Sequence, residues 1–236
     1  MTTIPEPTAW PTIVSQEEWD VALTKHLRME KGLTRMRDAV SASRRRLPMV
    51  EITTPYTFRG EEGEVSLLDL FGGHRQLVLQ HFMFHPDWDE GCDGCSMMTD
   101  HIGPLVHMRA RDTTFVAVAR APLAKLLAYR ERMGWEVPFY SSFESSFNQD
   151  LGLTVNDEEL HGVSYFVRNG DRIFRTFFST DRGDEDAIST FILLDRTAFG
   201  RQESWEDSPA GWPQTEPYGW WRRHDQYEEV EGDCCH

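Results

Sequence analysis

The stretch QLVLQHFMFHPDWDEGCDGCSMMTDH, Gln76 to His101, decides the fold. Leu77 to Phe84 is an apolar run of strand length and reads as a buried strand. A short acidic and aromatic loop follows. Cys92-Asp93-Gly94-Cys95 then opens a helical pattern carrying Met98, Ile102, Leu105 and Val106, so two cysteines stand where a helix begins.

A helix N-terminus presents unpaired N–H groups and the positive end of the helix dipole, and both favour a thiolate over a thiol. Cys92 is therefore the expected attacking thiol. Cys95, one turn further on, shares its face and can reach back to close a disulfide. The same spacing supplies half of many zinc sites, although a zinc site needs further ligands. Redox chemistry is the favoured reading, with zinc binding and inert cysteines as alternatives. Asp93 sets a negative charge beside Cys92, which should raise the thiol pKa against the effect of the helix end and predicts a moderate reductant rather than a strong oxidant.

A chain of 236 residues is long enough for a proper core, and four cysteines, two of them adjacent at Cys234-Cys235, do not make a disulfide-stapled fold. The start MTTIPEPTAWPTIVSQEEW has neither a basic nor an apolar leader segment, and no later segment reaches membrane-spanning length. A cytoplasmic chain is expected. The formal charge of -15 opposes binding to nucleic acid or anionic lipid.

Working outward, residues 1 to about 14 form an extended arm. Ser15-Gln16-Glu17-Glu18 has the capping-box form, and Trp19, Leu23 and Leu27 recur every four residues in the helix it opens. Gly32 is expected to weaken or break that helix, and Arg44 to Arg46 to end it. Strands follow at PMVEI, YTF and VSLLDLFGG. Gly103-Pro104 should break the cysteine helix. Thr113 to Ala119 reads as another strand, Ala121-Pro122 opens a helix, and Gly134 caps it. Residues 135 to 161 read as a long ordered loop bordering a site. Val163–Arg168 and Arg172–Phe178 flank Asn169-Gly170, which predicts a hairpin with a type I′ turn. A last helix is expected over 184–194. The chain divides into an arm and helix (1–46), an α/β domain (47–200) and an acidic, Trp-rich tail (201–236). Trp205, Trp212, Trp220 and Trp221 are expected to pin the tail to a surface, and exposed aromatics there are compatible with a homo-oligomer.

Strand, cysteine helix, strand, helix, hairpin, helix is the order of a thioredoxin-like fold: a central mixed sheet flanked by helices. The segment GEVSLLDLFGGHRQLVLQHFMF looks like the corresponding part of peroxiredoxin-type members. The blocks LLDLFGGHRQL, HFMFHPDWDEGCDGCS, RDTTFVAVARAPLAKLLAYRERMGW and PFYSS, with weaker FNQDLG and LLDRTAFGRQE, closely resemble the bacterial domain of unknown function 899 family. Its members are described as thioredoxin-like, predicted dithiol–disulfide oxidoreductases. The resemblance implies a redox pair at Cys92 and Cys95, with Asp87 and Trp88 in the loop before it, a thiol or disulfide substrate, a separate electron donor and no cofactor. Asp93 and His85 depart from the family's usual residues. The peroxiredoxin signature cannot be laid over the loop, because Glu90 and Asp93 stand at the required offsets from Pro86. Thioredoxins also place a proline in the segment facing the cysteines, but His161-Gly162-Val163-Ser164 has none.

Around this pair, His81 reads as a core histidine. His85, at the strand end, is the better candidate to polarise the site. Arg120 is expected to balance Asp87 or a substrate anion, or equally to make a plain surface ion pair, and Tyr140 and Ser141 to border the site. Cys234-Cys235-His236 reads as free tail thiols. A dithiol oxidoreductase is thus favoured over a zinc-binding protein and over a thioredoxin-like scaffold for protein binding.

Overall fold

The structure, a computed structural model, describes residues 4–227. One eight-stranded mixed sheet organises it, in the order β1-β10-β9-β4-β5-β6-β2-β3. In chain order these strands are β1 (Val50–Ile52), β2 (Thr57–Gly60), β3 (Gly63–Ser66), β4 (Gln76–His81), β5 (Thr113–Ala119), β6 (Phe139–Ser141), β9 (Gly162–Asn169) and β10 (Arg172–Ser179); β7 (Thr154–Val155) and β8 (Glu158–Glu159) make a separate ribbon. The helices are α1 (Gln16–Arg44), α2 (Asp93–Asp100), α3 (Val106–Arg109), α4 (Leu123–Arg132), α5 (Phe147–Asp150) and α6 (Ser189–Leu194). β4, β5 and β6 are parallel, and the β9–β10 hairpin joins the other side of β4 antiparallel. The four central strands and the helices between them are thioredoxin-like.

The apolar run predicted as a buried strand is β4, and both its faces are covered. Leu77 and Leu79 pack with Val116, Val118, Phe147 and Phe166 on one side. Phe115 and Ala117 from β5 pack with Phe82, Phe84, Leu126, Tyr129 and Phe139 on the other. Burying both faces removes any need for alternation, which is why the central strands read as continuous apolar runs.

Helix α1 starts at the capping box as read. The Glu18 N–H donates to Ser15 Oγ at 3.3 Å and the Ser15 N–H to Glu18 Oε2 at 2.9 Å. It runs through Gly32 without a break, so that of the two expected outcomes only weakening is left. One glycine costs about 1 kcal/mol against alanine, too little to stop a helix of 29 residues.

Three readings are corrected. Residues 135–161 are not one loop: Pro138 is followed by β6, which pairs with β5, and α5 and the β7–β8 ribbon come after. Three strand residues give too short a periodicity to see. The hairpin loop is Gly170-Asp171, because Asn169 pairs with Arg172; only Gly170 (φ 62°) is left-handed there, so the turn is not type I′. Left-handed backbone at two consecutive loop residues occurs instead at Asn156 (φ 52°) and Asp157 (φ 66°), between β7 and β8. Residues 184–194 divide into a 3-10 helix, Asp181–Ala187, and α6.

Candidate functional site

Helix α2 brings the cysteines out of the sheet. Cys92 is its N-cap residue, and the Cys92 N–H donates to the Met83 carbonyl at 2.9 Å, which ties the loop back to the chain leaving β4. The turn beyond is clamped: Gln80 Nε2 donates to the Cys95 carbonyl at 3.1 Å, and Thr99 Oγ1 donates to the same oxygen at 2.9 Å. Cys95 to Thr99 are all buried. Gly91 is required before Cys92, because a Cβ there would lie 2.4 Å from the Phe82 ring.

The two thiols sit in different environments. Cys92 is half-buried and Cys95 buried. The Cys95 thiol and the N–H groups of Gly94 and Cys95 donate to Cys92 Sγ, and together they outweigh burial and the nearby Asp93 charge, lowering the Cys92 pKa to about 7. Cys95 is pushed up by the same partnership and by burial. Asp93 does raise the Cys92 pKa, as its position predicts, but it is the smallest of these influences. Its carboxylate is matched by Arg223, Nη2 to Oδ1 at 2.9 Å. Asp93 thus opposes the effect of the helix start, as expected, and the hydrogen bonds to Cys92 prevail.

Arg223 also donates to the Gly91 carbonyl (Nη2, 2.5 Å) and to the Tyr129 hydroxyl (Nε, 3.0 Å). Tyr129 Oη lies 2.8 Å from Ser96 Oγ, which in turn donates to the Cys92 carbonyl at 2.7 Å. A chain of hydrogen bonds thus joins the tail to the cysteine helix.

A cavity of about 800 Å³ opens in front of the pair. Its walls come from the cysteine loop, from His161-Gly162 at the start of β9, from Asp181 to Phe191, and from the tail at Tyr218, Trp221 and Arg223. Trp220 and Trp221 pack with Met97, Met98, Ile188 and Phe191. The tail is anchored by Glu203, 0% exposed, which accepts from Trp205 Nε1 (2.5 Å), Trp220 Nε1 (2.7 Å) and the Tyr218 N–H (2.8 Å). Arg201 is held between Asp195 and Glu185, at 2.7 and 2.8 Å.

Of the residues singled out from sequence, His81, Cys92, Cys95, Trp88 and Asp93 line this cavity; His85, Asp87, Arg120, Tyr140 and Ser141 do not. His85 turns to Asp157, Nε2 to Oδ2 at 3.2 Å, instead of to the thiols. Arg120 pairs with Asp157 at 2.7 Å and with the buried Glu159 at 2.9 Å, and Asp87 stays exposed. The β7–β8 turn supplies these partners, and nothing in the local sequence announces its approach. Tyr140 packs against the first core cluster, and Ser141 Oγ donates to the Ala121 carbonyl at 2.7 Å, because both belong to β6. His81 is buried, with Nε2 2.7 Å from Ser164 Oγ; burial and the nearby Arg175 lower its pKa to about 3, so it is neutral. Cys234, Cys235 and His236 lie outside the described residues. Among the described residues no three His, Cys, Asp or Glu side chains are grouped to hold a metal ion, and no helix is long and apolar enough to cross a membrane.

The family model described as bacterial protein of unknown function (DUF899) matches residues 8–227. The chain belongs to that family. Within it, the match spans the arm, the sheet and the tail alike, so the cavity's tail wall falls inside the region that defines DUF899. No curated protein matches the sequence. Similar solved structures include peroxiredoxin Q of Xanthomonas campestris (12% identity, TM-score 0.45, 64% of this chain and 98% of that one). Others are peroxidoxin BcpB of Mycobacterium tuberculosis (16%, 0.44, 63% and 97%) and a disulfide isomerase-like protein of Bacteroides thetaiotaomicron (19%, 0.41, 62% and 91%).

Proposed function

We propose that this DUF899 chain is a thiol–disulfide oxidoreductase in which Cys92 attacks and Cys95 resolves. The observation that carries the reading is the asymmetry of the pair: Cys92 faces a cavity and receives hydrogen bonds from the Cys95 thiol and two backbone N–H groups, while Cys95 is enclosed. A thiolate with a pKa near ambient pH is both populated and nucleophilic.

The Cys92 thiolate attacks one sulfur of a substrate disulfide, forms a mixed disulfide and expels the other sulfur as a thiolate. Cys95 then gives up its proton and attacks Cys92 Sγ, so that the Cys92–Cys95 disulfide forms and the second substrate thiol leaves. Two electrons and two protons pass from the dithiol to the substrate, and a thiol reductant restores the pair.

Intact mass after alkylation across a glutathione redox series tests this. A reversible loss of two hydrogens, mapped to the peptide spanning Cys92 and Cys95 and abolished by Cys92→Ser, is expected. Two free thiols at every poise would sink the reading.

A further inference from the structure

The cavity before Cys92 is a recess and not a surface. Its volume, about 800 Å³, is in the range of roughly 300–1,000 Å³ common to small-molecule sites. Tyr218 and Trp221 stand over it from the tail, and that wall is fastened by the buried Glu203 and by Arg223. This wall narrows the approach to Sγ more for a disulfide held on a folded protein than for a small one.

The walls also state a charge preference. The side chains facing the cavity include five carboxylates and two arginines. Both arginines are already engaged: Arg223 by Asp93 and Glu90, at 2.9 Å each, and Arg182 by Glu185 at 3.5 Å and the Trp205 ring at 4.1 Å. Neither Asp181 nor Asp184 is ion-paired to an arginine or lysine among the described residues. Asp184 is only 8% exposed; its Oδ1 accepts from Ser179 Oγ at 2.5 Å, and its Oδ2 is buried with no partner. Met98, Ile188 and Phe191 give the cavity an apolar floor beside these acidic side chains. The net charge of -15 adds repulsion against anions at longer range.

We propose that the oxidised substrate of this site is a low-molecular-weight disulfide, neutral or cationic and with an apolar body, rather than a protein disulfide or an anionic one. The inference rests on the redox reading above and names the substrate class for it.

The test is the rate at which the reduced full-length protein is oxidised by four disulfides at one ionic strength, each rate divided by that disulfide's rate with free dithiothreitol. The disulfides are cystamine (dicationic), 2-hydroxyethyl disulfide (neutral), oxidised glutathione (anionic) and insulin. Cystamine and hydroxyethyl disulfide are expected to lead oxidised glutathione and insulin by about tenfold, the order of electrostatic steering into a charged cleft. Asp181→Asn keeps a residue type that tolerates the left-handed backbone at this position (φ 52°). It should reduce the cystamine-to-hydroxyethyl ratio about threefold, the loss expected for one screened charge. Fastest oxidation by insulin or glutathione, or a ratio unmoved by Asp181→Asn, overturns the substrate class and leaves the redox pair standing. Failure of all four to form the Cys92–Cys95 disulfide removes both.

Discussion

Helix α1 and residues 201–227 are both built outside the sheet, and in opposite ways. The helix has 29 residues, a complete capping box and no buried side chain. The tail has little regular structure, yet it holds the buried Arg201 and Glu203 and forms one wall of the cavity before Cys92. Regularity in α1 comes from local hydrogen bonds and capping, which need no partner. Order in the tail comes from a few desolvated charges whose donors are fully matched, and such groups are costly to leave unpaired. How regular an element looks is therefore a poor guide to how tightly it is coupled to the site.

The largest effect that would sharpen this contrast is expected from Glu203→Ala. It leaves the indole N–H groups of Trp205 and Trp220 and the Tyr218 N–H without their acceptor, a loss on the order of 3 kcal/mol or more in denaturant unfolding. Tryptophan emission should shift to the red and Cys92 should alkylate faster. Unchanged alkylation would show that the tail is not a wall.

Next in size, Cys95→Ala removes the strongest of the hydrogen bonds that lower the Cys92 pKa. In wild type the rate of iodoacetamide reaction at Cys92 should rise with pH through a midpoint of about 7; in the variant the midpoint should move up by about one unit, because each unit corresponds to about 1.4 kcal/mol of lost thiolate stabilisation. The reaction near pH 7 is then several times slower. A midpoint that stays or falls contradicts the hydrogen-bonding account.

Arg223→Ala tests the reach of the tail more finely. It frees the Asp93 carboxylate, whose charge raises the Cys92 pKa, so the same midpoint should move up by a few tenths of a unit, in keeping with a solvent-screened charge. The smallest effects belong to α1. Ser15→Ala should cost about 1 kcal/mol of helix stability, and Gly32→Ala, whose added methyl meets nothing within 4 Å, should restore about as much. Both are read by circular dichroism at 222 nm, and neither should move the Cys92 midpoint. If either does, α1 is coupled to the site after all.

The sequence carried those features whose causes are local. The run before the cysteines is apolar because β4 is covered on both faces, and Ser15 to Glu18 spell out a cap with its own partners. Cys92 and Cys95 announce a helix start by their spacing. What stayed hidden depends on residues brought in from far along the chain. His85 and Arg120 were read as site groups because they end strands beside the cysteines, but the β7–β8 turn claims both through Asp157. Asp93 raises the Cys92 pKa as its position says, but its pairing with Arg223 had no signal among the acidic and aromatic tail residues. Asp184 and Glu203 look like ordinary surface carboxylates until the fold encloses them. His161-Gly162 was recognisable in the segment facing the pair, and it does line the cavity.

The chain of contacts from Arg223 through Tyr129 and Ser96 to the Cys92 carbonyl also sets an order in time. Synthesis delivers the cysteine helix and α4 well before Arg223, so the tail is the last part to reach the site. The hydrogen bonds that make Cys92 acidic lie within its own helix, and what the tail adds on arrival is the cavity's far wall and a partner for Asp93.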